Sequence, residues 1–359
     1  MTTWQIWIDT GGTFTDCIAV DPAGKVHRAK VLSSSALRGK IVKKHDRHTL
    51  QIQEQWQAAK DFVKGFSFRL LGPHKNERHF VSAYDPSNAI LTLEKAIDSE
   101  ISPHPAFEVQ SPEEAPVLAA RLVTSTPANT PLPALEMRLA TTRGTNALLE
   151  RHGAPTALFI TEGFGDLLLI GTQQRPDLFA LEIKKPAPFY KYVIEVPERI
   201  DASGNILYLL EPKKLKNRIE MLQDVEIDSA AVVLMHSYLN PMHEQILAEY
   251  LLKAGFRHVS RSSQLAPFVK ILPRAETTVV DAYLGPVISD YLADVRKAIS
   301  TGRLHVMTSA GGLVQPKDFH AKDSLLSGPA GGVVGAAFSA QQSGFEKIIA
   351  FDMGGTSTD

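Results

Sequence analysis

Ile8-Asp9-Thr10-Gly11-Gly12-Thr13-Phe14-Thr15-Asp16 is the stretch on which the interpretation of the whole chain depends. Its pattern, D-x-G-G-T-x-T-D, returns at Phe351-Asp352-Met353-Gly354-Gly355-Thr356-Ser357-Thr358-Asp359. Each copy follows an apolar run, Trp4 to Ile8 or Ile348 to Phe351, which predicts a buried strand ending in a tight glycine turn. One Gly-Gly turn would indicate an ordinary hairpin, but two copies with matching Thr and Asp positions indicate a unit that recurs in a duplicated fold.

Both copies have the composition of a phosphate-binding loop. Paired glycines allow a positive φ and bring backbone N–H groups close to a ligand, hydroxyls add donors, and a carboxylate can hold a metal ion. This plan resembles the actin-like ATPases, which include sugar kinases and the large heat-shock chaperones, and in which ATP lies between two lobes. The predicted fold class is therefore α/β, an actin-like ATPase (ribonuclease H-like) duplicated fold with mixed sheets and a truncated second lobe.

Composition narrows the class of protein further. With 359 residues and 44% hydrophobic side chains the chain can bury sizeable cores. Its 38 basic and 39 acidic residues give a net charge of −1, which argues against a nucleic-acid or anionic-membrane partner. The sequence has no basic secretion signal and no membrane-length apolar run, so a cytoplasmic location is predicted. Cys17 is the single cysteine, and we expect a small buried strand residue there.

Three segments are predicted from the changes in pattern along the chain. Residues 1–205 form an N-terminal lobe, interrupted at about 35–133 by a proline-rich stretch that predicts an irregular insertion. Residues 206–345 form an α/β domain, and residues 346–359 form the first strand and phosphate loop of the second lobe. Within the α/β domain, the apolar spacing from Val279 to Ile299 predicts the longest helix of the chain.

Polar residues at two strand ends are candidates for contacts with a substrate. The predicted strand Glu136–Thr142 leads into a helix that begins near Arg143 and Asn146. The backbone N–H groups at this helix start could bind an anion, or they could simply be capped by the neighbouring threonines, with no ligand. A Gly-Thr-Gln-x-Arg turn at 171–175 follows an apolar element, and its Arg175 suits a carboxylate, although pairing with Asp177 is the alternative. His243-Glu244 has no second histidine one turn on, so we interpret it as a surface pair and predict no zinc site.

At this point six long motifs resemble the hydantoinase A and 5-oxoprolinase family, from the first strand to the last residue. The resemblance weakens only in the proline-rich stretch, and two of the motifs are more similar to the 5-oxoprolinase branch. The motifs are IDTGGTFTD (8–16), TTRGTNALLER (141–151), GFGDLLLIGTQQRPDLF (163–179), TTVVDAYLGP (277–286), LLSGPAGGVVGA (325–336) and FDMGGTSTD (351–359).

The resemblance implies ATP-driven opening of a cyclic amide, here 5-oxo-L-proline to L-glutamate with release of ADP and phosphate. Amide resonance makes the ring carbonyl a poor electrophile. Phosphorylation of the lactam oxygen gives an activated imidate-like phosphate that water can attack. The main task of the protein is therefore to position the reacting groups and to neutralise the charge on the phosphates. ATP and Mg²⁺ are the implied cofactors.

The same resemblance assigns roles to individual residues. Asp9 and Asp352 would hold Mg²⁺ directly or through water, while Asp16 and Asp359 would orient water or simply cap the turns that they follow. Phosphate would be bound by both loops, at Thr10, Gly11, Gly12, Thr13 and Thr15 and at Gly354, Gly355, Thr356 and Ser357. Substrate would be bound by Thr142, Arg143, Asn146, Gln173 and Arg175.

Family members continue beyond the second loop and associate with a hydantoinase B-type domain or subunit. We therefore expect this chain to be an N-terminal fragment whose last strand lacks the neighbours that bury it, and which alone does not turn over. The full-length protein is expected to be a homo-oligomer. The alternatives are an N-methylhydantoinase or acetone carboxylase-type ATP-dependent subunit, and a non-catalytic actin-like ATP-binding regulator.

Overall fold

The computed structural model describes residues 3–56, 58–72, 78–97, 105–173, 179–183 and 185–353. The chain forms two compact units. Unit 1 comprises Met1–Arg143, Tyr291–Phe319 and Asp323–Asp359, and unit 2 comprises Gly144–Asp290 and His320–Lys322. The predicted segment boundary at residue 205 lies within unit 2.

The strands, in chain order, are β1 (Trp4–Thr10), β2 (Phe14–Val20), β3 (Val26–Leu32), β4 (Ala36–Lys44), β5 (Thr49–Glu54), β6 (Ser67–Leu70), β7 (His79–Asp85), β8 (Ile90–Leu93), β9 (Ala106–Gln110), β10 (Leu135–Thr141), β11 (Thr156–Thr161), β12 (Tyr192–Val196), β13 (Arg199–Ile200), β14 (Ile206–Tyr208), β15 (Ser229–Val233), β16 (His258–Arg261), β17 (Arg303–Met307) and β18 (Leu313–Val314). The helices are α1 (Ala115–Thr124), α2 (Arg143–Leu149), α3 (Leu167–Ile170), α4 (Lys216–Asp224), α5 (Met242–Lys253), α6 (Ser262–Leu265), α7 (Ile271–Ala298) and α8 (Ser327–Gln342). Across the described ranges, every helix falls short of the combined length and apolarity that a bilayer crossing requires.

Unit 1 is built on a six-stranded mixed sheet with the order β18-β17-β10-β1-β2-β3. β1, β2 and β3 form an antiparallel meander, and β10 runs parallel to β1 and to β17. Alternation along β1 buries Ile6 and Ile8 and leaves Asp9 exposed on the other face. Cys17 is buried as expected, and burial raises the pKa of its thiol to about 12. The predicted mixed α/β class is confirmed.

A closed barrel of six antiparallel strands replaces the irregular insertion that the prolines predicted. Its strand order is β4-β5-β8-β7-β6-β9, and Phe68 and Phe107 stack in its interior at a ring separation of 5.2 Å. Pro86, Pro105 and Pro112 lie just outside strands, where the missing N–H costs no ladder hydrogen bond. The prediction was wrong because strands as short as four residues give little periodicity and pair with distant segments.

Unit 2 contains a parallel sheet with the order β12-β11-β15-β16. β11 and β15 are buried along their whole length. The apolar runs Ala154–Thr161 and Ala230–His236 each predict a buried strand from the sequence, and both predictions are confirmed. α4 and α5 contribute Leu222 and Leu247 to the core on one face, and α7 contributes Val279 to the other. At 28 residues, α7 is the longest helix among the described residues, as predicted.

The interpretation of His243-Glu244 as a surface pair was wrong, since both residues are fully buried. Leu210 N donates to His243 Nε2 at 3.3 Å, so Nδ1 carries the proton and donates to Glu198 Oε2 at 2.6 Å. Glu244 accepts from the backbone of Leu234 and from the hydroxyl of Ser262. The pair joins buried elements of unit 2 because every polar atom taken from water needs a partner.

The apolar run Ile348–Phe351 forms no strand, contrary to the expectation that it mirrors β1. Ile349 and Phe351 are 97% and 71% exposed. Among the described residues no strand pairs with this run along its length, so its backbone groups lack the ladder that defines a strand. The expectation that it lacks neighbours to bury it is confirmed.

Asp281, on α7, gives a pH-dependent test of the packing in unit 2. Its carboxylate accepts from Ser260 Oγ at 2.7 Å and from Lys322 N at 2.9 Å, and His258 Nε2 lies 3.6 Å away. Burial alone would raise the pKa of Asp281, but these partners outweigh it and lower that pKa. The stabilisation is therefore complete above the unfolded-state pKa and is lost as the pH falls through the lower folded-state pKa.

We expect Asp281→Asn to lower the Tm at pH 7, and we expect the deficit to shrink below a pH of about 4, where the unfolded carboxyl group takes up a proton. Thermal unfolding followed by circular dichroism between about pH 3 and pH 7 measures this. Asp290→Asn, at a 63%-exposed position of the same helix, is the matched control. A deficit that stays constant over the whole range would contradict this account of Asp281.

Candidate functional site

The first glycine loop, residues 11–13, joins β1 to β2 and is called loop 1 below. Thr10 pairs with Thr15 across the hairpin, and Gly11 N donates to Phe14 O at 2.9 Å. Neither Gly11 nor Gly12 has a positive φ, so that part of the prediction was wrong. A Cβ at Gly11 would lie only 3.2 Å from Phe14 O, so close backbone approach is what favours glycine there.

Ser33, just after β3, fixes loop 1 from the neighbouring strand. Its backbone N–H donates to Thr13 O at 2.9 Å, and its hydroxyl donates to Gly11 O at 2.7 Å. The same hydroxyl lies 3.1 Å from Thr15 Oγ1. Within the described part of the chain, the N–H groups of Gly12 and Thr13 have no acceptor. The loop is therefore held rigid while two backbone donors remain free for an anion.

Three charged side chains form a row across the meander beside loop 1. The strand register pairs Asp9 with Asp16 and Asp16 with Lys30, so all three project from one face. Lys30 Nζ donates to both carboxylate oxygens of Asp16 at 2.9 Å. Asp16 thus lies within a strand and pairs with a lysine, rather than capping the turn.

Asp9 is the carboxylate of this row without a cation of its own. Although the residue keeps an exposed surface, desolvation raises the pKa of its carboxyl group. The charges of Asp16 and then of Asp352 raise that pKa further, and only Lys30 opposes them. The structure therefore brings Asp9 and Asp352, one from each copy of the motif, within electrostatic range.

The donor set around Asp9 fits a divalent cation. The described residues contain no cluster of three or more acidic, histidine or cysteine side chains able to enclose a metal. Mg²⁺ does not need such a cage, since it keeps several waters and binds through one or two carboxylates together with phosphate oxygens. The carboxylates of Asp9 and Asp352 are therefore suited to a hydrated cation that arrives with a phosphate.

Hydroxyl groups pack behind loop 1 where β1 and β10 end. Thr142 donates to Thr10 O through its backbone N–H, at 2.8 Å, and through its hydroxyl, at 3.2 Å. Tyr291 is 3% exposed, and burial raises its pKa to about 12, with Thr10 and Thr141 beside its hydroxyl. Thr142 therefore supports the end of β1, a structural role in addition to any contact with substrate.

The first turn of α8 also reaches this region. Ser327 Oγ donates to Thr141 O at 2.9 Å. A Cβ built at Gly328 would lie 3.6 Å from Thr142 Cγ2 and 4.0 Å from Asp9 Oδ1. The N-terminal turn of α8, where the helix dipole is positive, thus lies close to the Asp9 carboxylate.

The predicted substrate residues are divided between the units. Arg143 begins α2 in unit 1, with its guanidinium 5.5 Å from the centre of the Tyr291 ring, and Asn146 follows one turn on, in unit 2. Gln173 adopts a left-handed φ of 58° after α3 and lines a cleft of about 980 Å³ in unit 2 with Phe189 and Tyr190. Arg175 lies outside the described ranges, and so do the predicted site residues of the second loop, which are Gly354, Gly355, Thr356, Ser357 and Asp359.

Lys30, Ser33, Ser327 and Tyr291 contribute to the site and were not singled out from the sequence. Lys30 had a signal in the sequence, because Asp21-Pro22-Ala23-Gly24 is typical of a turn, and counting along the strands on either side of it places Lys30 opposite Asp16. No sequence signal pointed to Ser33, Ser327 or Tyr291, because each reaches the loop through tertiary packing.

Comparison with known proteins identifies the family. A hydantoinase/oxoprolinase N-terminal region matches residues 5–63 and 106–255, and a hydantoinase/oxoprolinase region matches residues 274–359. The chain belongs to the hydantoinase/oxoprolinase family. The gap between the two matched parts of the N-terminal region contains the barrel strands β6, β7 and β8.

Individual relatives agree with this assignment. 5-Oxoprolinase 1 of Arabidopsis thaliana is 45% identical over 249 residues, which cover 62% of this chain and 20% of that protein. The nucleotide-free acetone carboxylase structure gives a TM-score of 0.65 at 20% identity, and the ATP-dependent caprolactamase of Pseudomonas jessenii gives 0.63 at 22%. Each alignment covers 99% of this chain and 43% of the structure. The chain spans about a fifth of the length of the first curated relatives, and it shares its fold with the two enzymes of known structure.

We expect Asp9→Asn to raise the Tm slightly, because it removes a negative charge that Asp16 and Asp352 repel in the folded state. Thermal unfolding without nucleotide at pH 7 measures the shift. Asp318→Asn, at an exposed position of unit 1, controls for a general effect of losing one carboxylate. A Tm that falls below that of the control would contradict the proposed repulsion at Asp9.

Proposed function

We propose that this chain supplies the ATP-binding part of an ATP-dependent hydrolase that opens a cyclic amide, with 5-oxo-L-proline as substrate and L-glutamate as product. The observation that carries the proposal is loop 1, where, among the described residues, the N–H groups of Gly12 and Thr13 have no acceptor and the Asp9 carboxylate at the end of β1 has no ion-pair partner. Membership of the family and 45% identity to a protein named 5-oxoprolinase 1 support this choice of substrate.

The chemistry requires electrophilic activation more than a strong nucleophile. Resonance stabilises the ring amide against water. Transfer of the γ-phosphoryl group from ATP to the lactam oxygen releases ADP and activates the ring carbon. One water adds to that carbon, and the ring C–N bond breaks to give an acyl phosphate and a free amine. A second water then hydrolyses the acyl phosphate to the carboxylate and inorganic phosphate. The donors of loop 1 would hold the phosphates in line for transfer, and Gly354, Gly355 and Thr356 would contribute the second half of the clamp.

Asp9 and Asp352 are the proposed Mg²⁺-holding residues, directly or through water. The ion would neutralise charge on the phosphates when bound. Asp16 remains close to this position but is fixed by Lys30, so its proposed contribution is to orient water in the hydration shell. Thr10, Thr15 and Ser357 would complete the loops around the phosphates, and Asp359 would act in the second loop as Asp16 does in the first.

Recognition of the substrate is assigned to two groups of residues. Thr142, Arg143 and Asn146 lie at the start of α2, directly after the strand that adjoins β1. Gln173 and Arg175 are proposed to bind the substrate carboxylate, for which an arginine fork is well suited. The left-handed φ of Gln173 supports a functional role, because such strain persists mainly where function requires it.

Carboxylation of a ketone is the second candidate, and the likeness to acetone carboxylase favours it. It would use the same ATP site to activate an enolate instead of a lactam. An actin-like ATP-binding regulator is a third possibility, and the Gln173 cleft argues against it because a regulator needs no such pocket. On either enzymatic proposal we expect a hydantoinase B-type domain or subunit as partner, a homo-oligomeric full-length protein and a cytoplasmic location.

We expect the intact enzyme, purified with whatever segments or subunits accompany residues 1–359, to hydrolyse ATP only with 5-oxo-L-proline and to form glutamate and ADP in equal amounts. In that enzyme Asp9→Asn should lower kcat by at least about a hundredfold, because it removes a carboxylate proposed to hold the Mg²⁺ that neutralises the phosphates. Coupled ADP release and amino-acid analysis measure both quantities, and Asp318→Asn should retain activity.

Three results would separate the candidates. ATP turnover that requires bicarbonate and a ketone would replace the hydrolase with a carboxylase. Turnover that is indifferent to every small molecule would favour the regulator. Glutamate formation by Asp9→Asn at the wild-type rate would remove loop 1 from the mechanism.

A further inference from the structure

A polar cleft of about 760 Å³ opens in unit 1 beside loop 1, and no role has been assigned to it so far. Ser33, which holds loop 1 through two hydrogen bonds, forms one end of its lining. Arg143 lines it, as do Asp294 and Lys297 of α7. The cleft is therefore continuous with the residues that fix the phosphate loop.

The floor of this cleft is rigid and electrically neutral. Arg121 is 4% exposed and donates to both carboxylate oxygens of Glu113, at 2.5 and 2.7 Å. Its remaining donors bind Pro127 O at 2.7 Å and Thr130 O at 2.9 Å. Because this pair satisfies itself, it fixes the shape of the cleft and leaves recognition to the other charges.

Four other charged side chains face the cleft, two of each sign. Glu114 is half-buried at the start of α1, and Asp294 lies one turn from Lys297 on α7. Burial raises the pKa of Glu114; Arg143 opposes the rise, and Asp294 adds to it. Among the described residues neither Glu114 nor Asp294 forms an ion pair.

The cations are also available to a ligand. Within the described part of the chain, the Arg143 guanidinium forms no side-chain hydrogen bond and only stacks near the Tyr291 ring. Lys297 is exposed and has no carboxylate within ion-pair distance among the described residues. Opposite charges that are not paired with one another favour a ligand that carries both signs.

We propose that this cleft binds the zwitterion of an α-amino acid, with its ammonium group at Glu114 and Asp294 and its carboxylate at Arg143 and Lys297. The cleft has two acidic and two basic side chains. A ligand with a single charge would compensate only the acidic pair or only the basic pair, so a simple anion or cation is disfavoured. The hydroxyl of Ser34 and the amide of Asn129, both on the lining, add polar contacts for such a ligand.

The choice of amino acid rests on the proposed function, since the ring-opening reaction would release L-glutamate beside loop 1. A lactam nitrogen is uncharged, and an ammonium group exists only after the ring has opened. Glu114 and Asp294 would therefore distinguish product from substrate, and the cleft would act as a product or feedback site.

Isothermal titration of the full chain, without ATP, tests the inference with three probes. L-Glutamate carries the ammonium group, whereas glutarate and 5-oxo-L-proline have none. We expect L-glutamate to bind at least about tenfold more tightly than either, because only it can compensate Glu114 and Asp294. Equal binding of the three probes, or no heat with L-glutamate up to about 10 mM, would overturn the proposal.

Two variants assign the ends of the ligand. Glu114→Gln should weaken the binding of L-glutamate by about tenfold and leave the binding of glutarate unchanged. Lys297→Met should weaken the binding of both ligands. Glu249→Gln and Lys253→Met, at exposed positions of α5, are the matched controls. If a variant fails to fold, as judged by circular dichroism, the ligand preference of the unmodified chain still decides the question.

The result is separable from the proposed function. If the enzyme forms glutamate but its chain does not bind L-glutamate preferentially, the proposed hydrolase function is supported and the proposed amino-acid site is wrong. If the chain binds L-glutamate selectively but the enzyme never forms glutamate, the amino-acid site is supported and the proposed hydrolase function is wrong.

Discussion

The register of the β1-β2-β3 meander is the constraint on which the candidate site depends. It pairs Asp9 with Asp16 and Asp16 with Lys30, and it delivers Ser33 to the underside of loop 1. Because side chains alternate along a strand, a slip of one residue would turn the charged row toward the core. Buried apolar residues on the opposite face, such as Ile8 and Val31, make that slip costly. The hydrophobic core of unit 1 therefore also fixes the geometry of its charged face.

The carboxylates of this protein show how structural and functional charges differ. Asp281 has hydroxyl, backbone and imidazole partners within unit 2, so its charge is satisfied by the fold and its pKa is lowered. Burial raises the pKa of Asp9, and the charges of the Asp16 and Asp352 carboxylates raise it further. A folded chain tolerates such a position when something outside the protein compensates it, which is why perturbed carboxylates concentrate at binding sites. The same reasoning separates Glu114, whose pKa burial raises despite the charge of Arg143, from Glu113, whose two carboxylate oxygens accept from Arg121.

The sequence predicted the parts of the fold that depend on local pattern. The β1-β2 hairpin, the strand before α2, the two buried strands of unit 2 and the long α7 all follow from apolar periodicity with clear turn residues. The barrel was missed because its pairings join short strands that are distant in sequence, and proline content was taken as irregularity. The burial of His243 and the bracing by Ser33 were not predictable, because each depends on which elements pack together. Glycine at position 11 was expected for the wrong reason, since close approach to Phe14 O and not a positive φ favours it.

The two copies of the D-x-G-G-T-x-T-D motif show what a local pattern can and cannot specify. Trp4–Thr10 is a strand because β2 and β10 hydrogen-bond to its two edges and Ile6 and Ile8 are buried beneath it. Ile348–Phe351 is also apolar, yet it forms no strand and is exposed where the described residues supply no such neighbours. Asp352 nevertheless lies close enough to influence Asp9, so its electrostatic role does not require a formed strand. The motif therefore specifies the chemistry of each loop, whereas the flanking strands determine whether that chemistry is held in a fixed geometry.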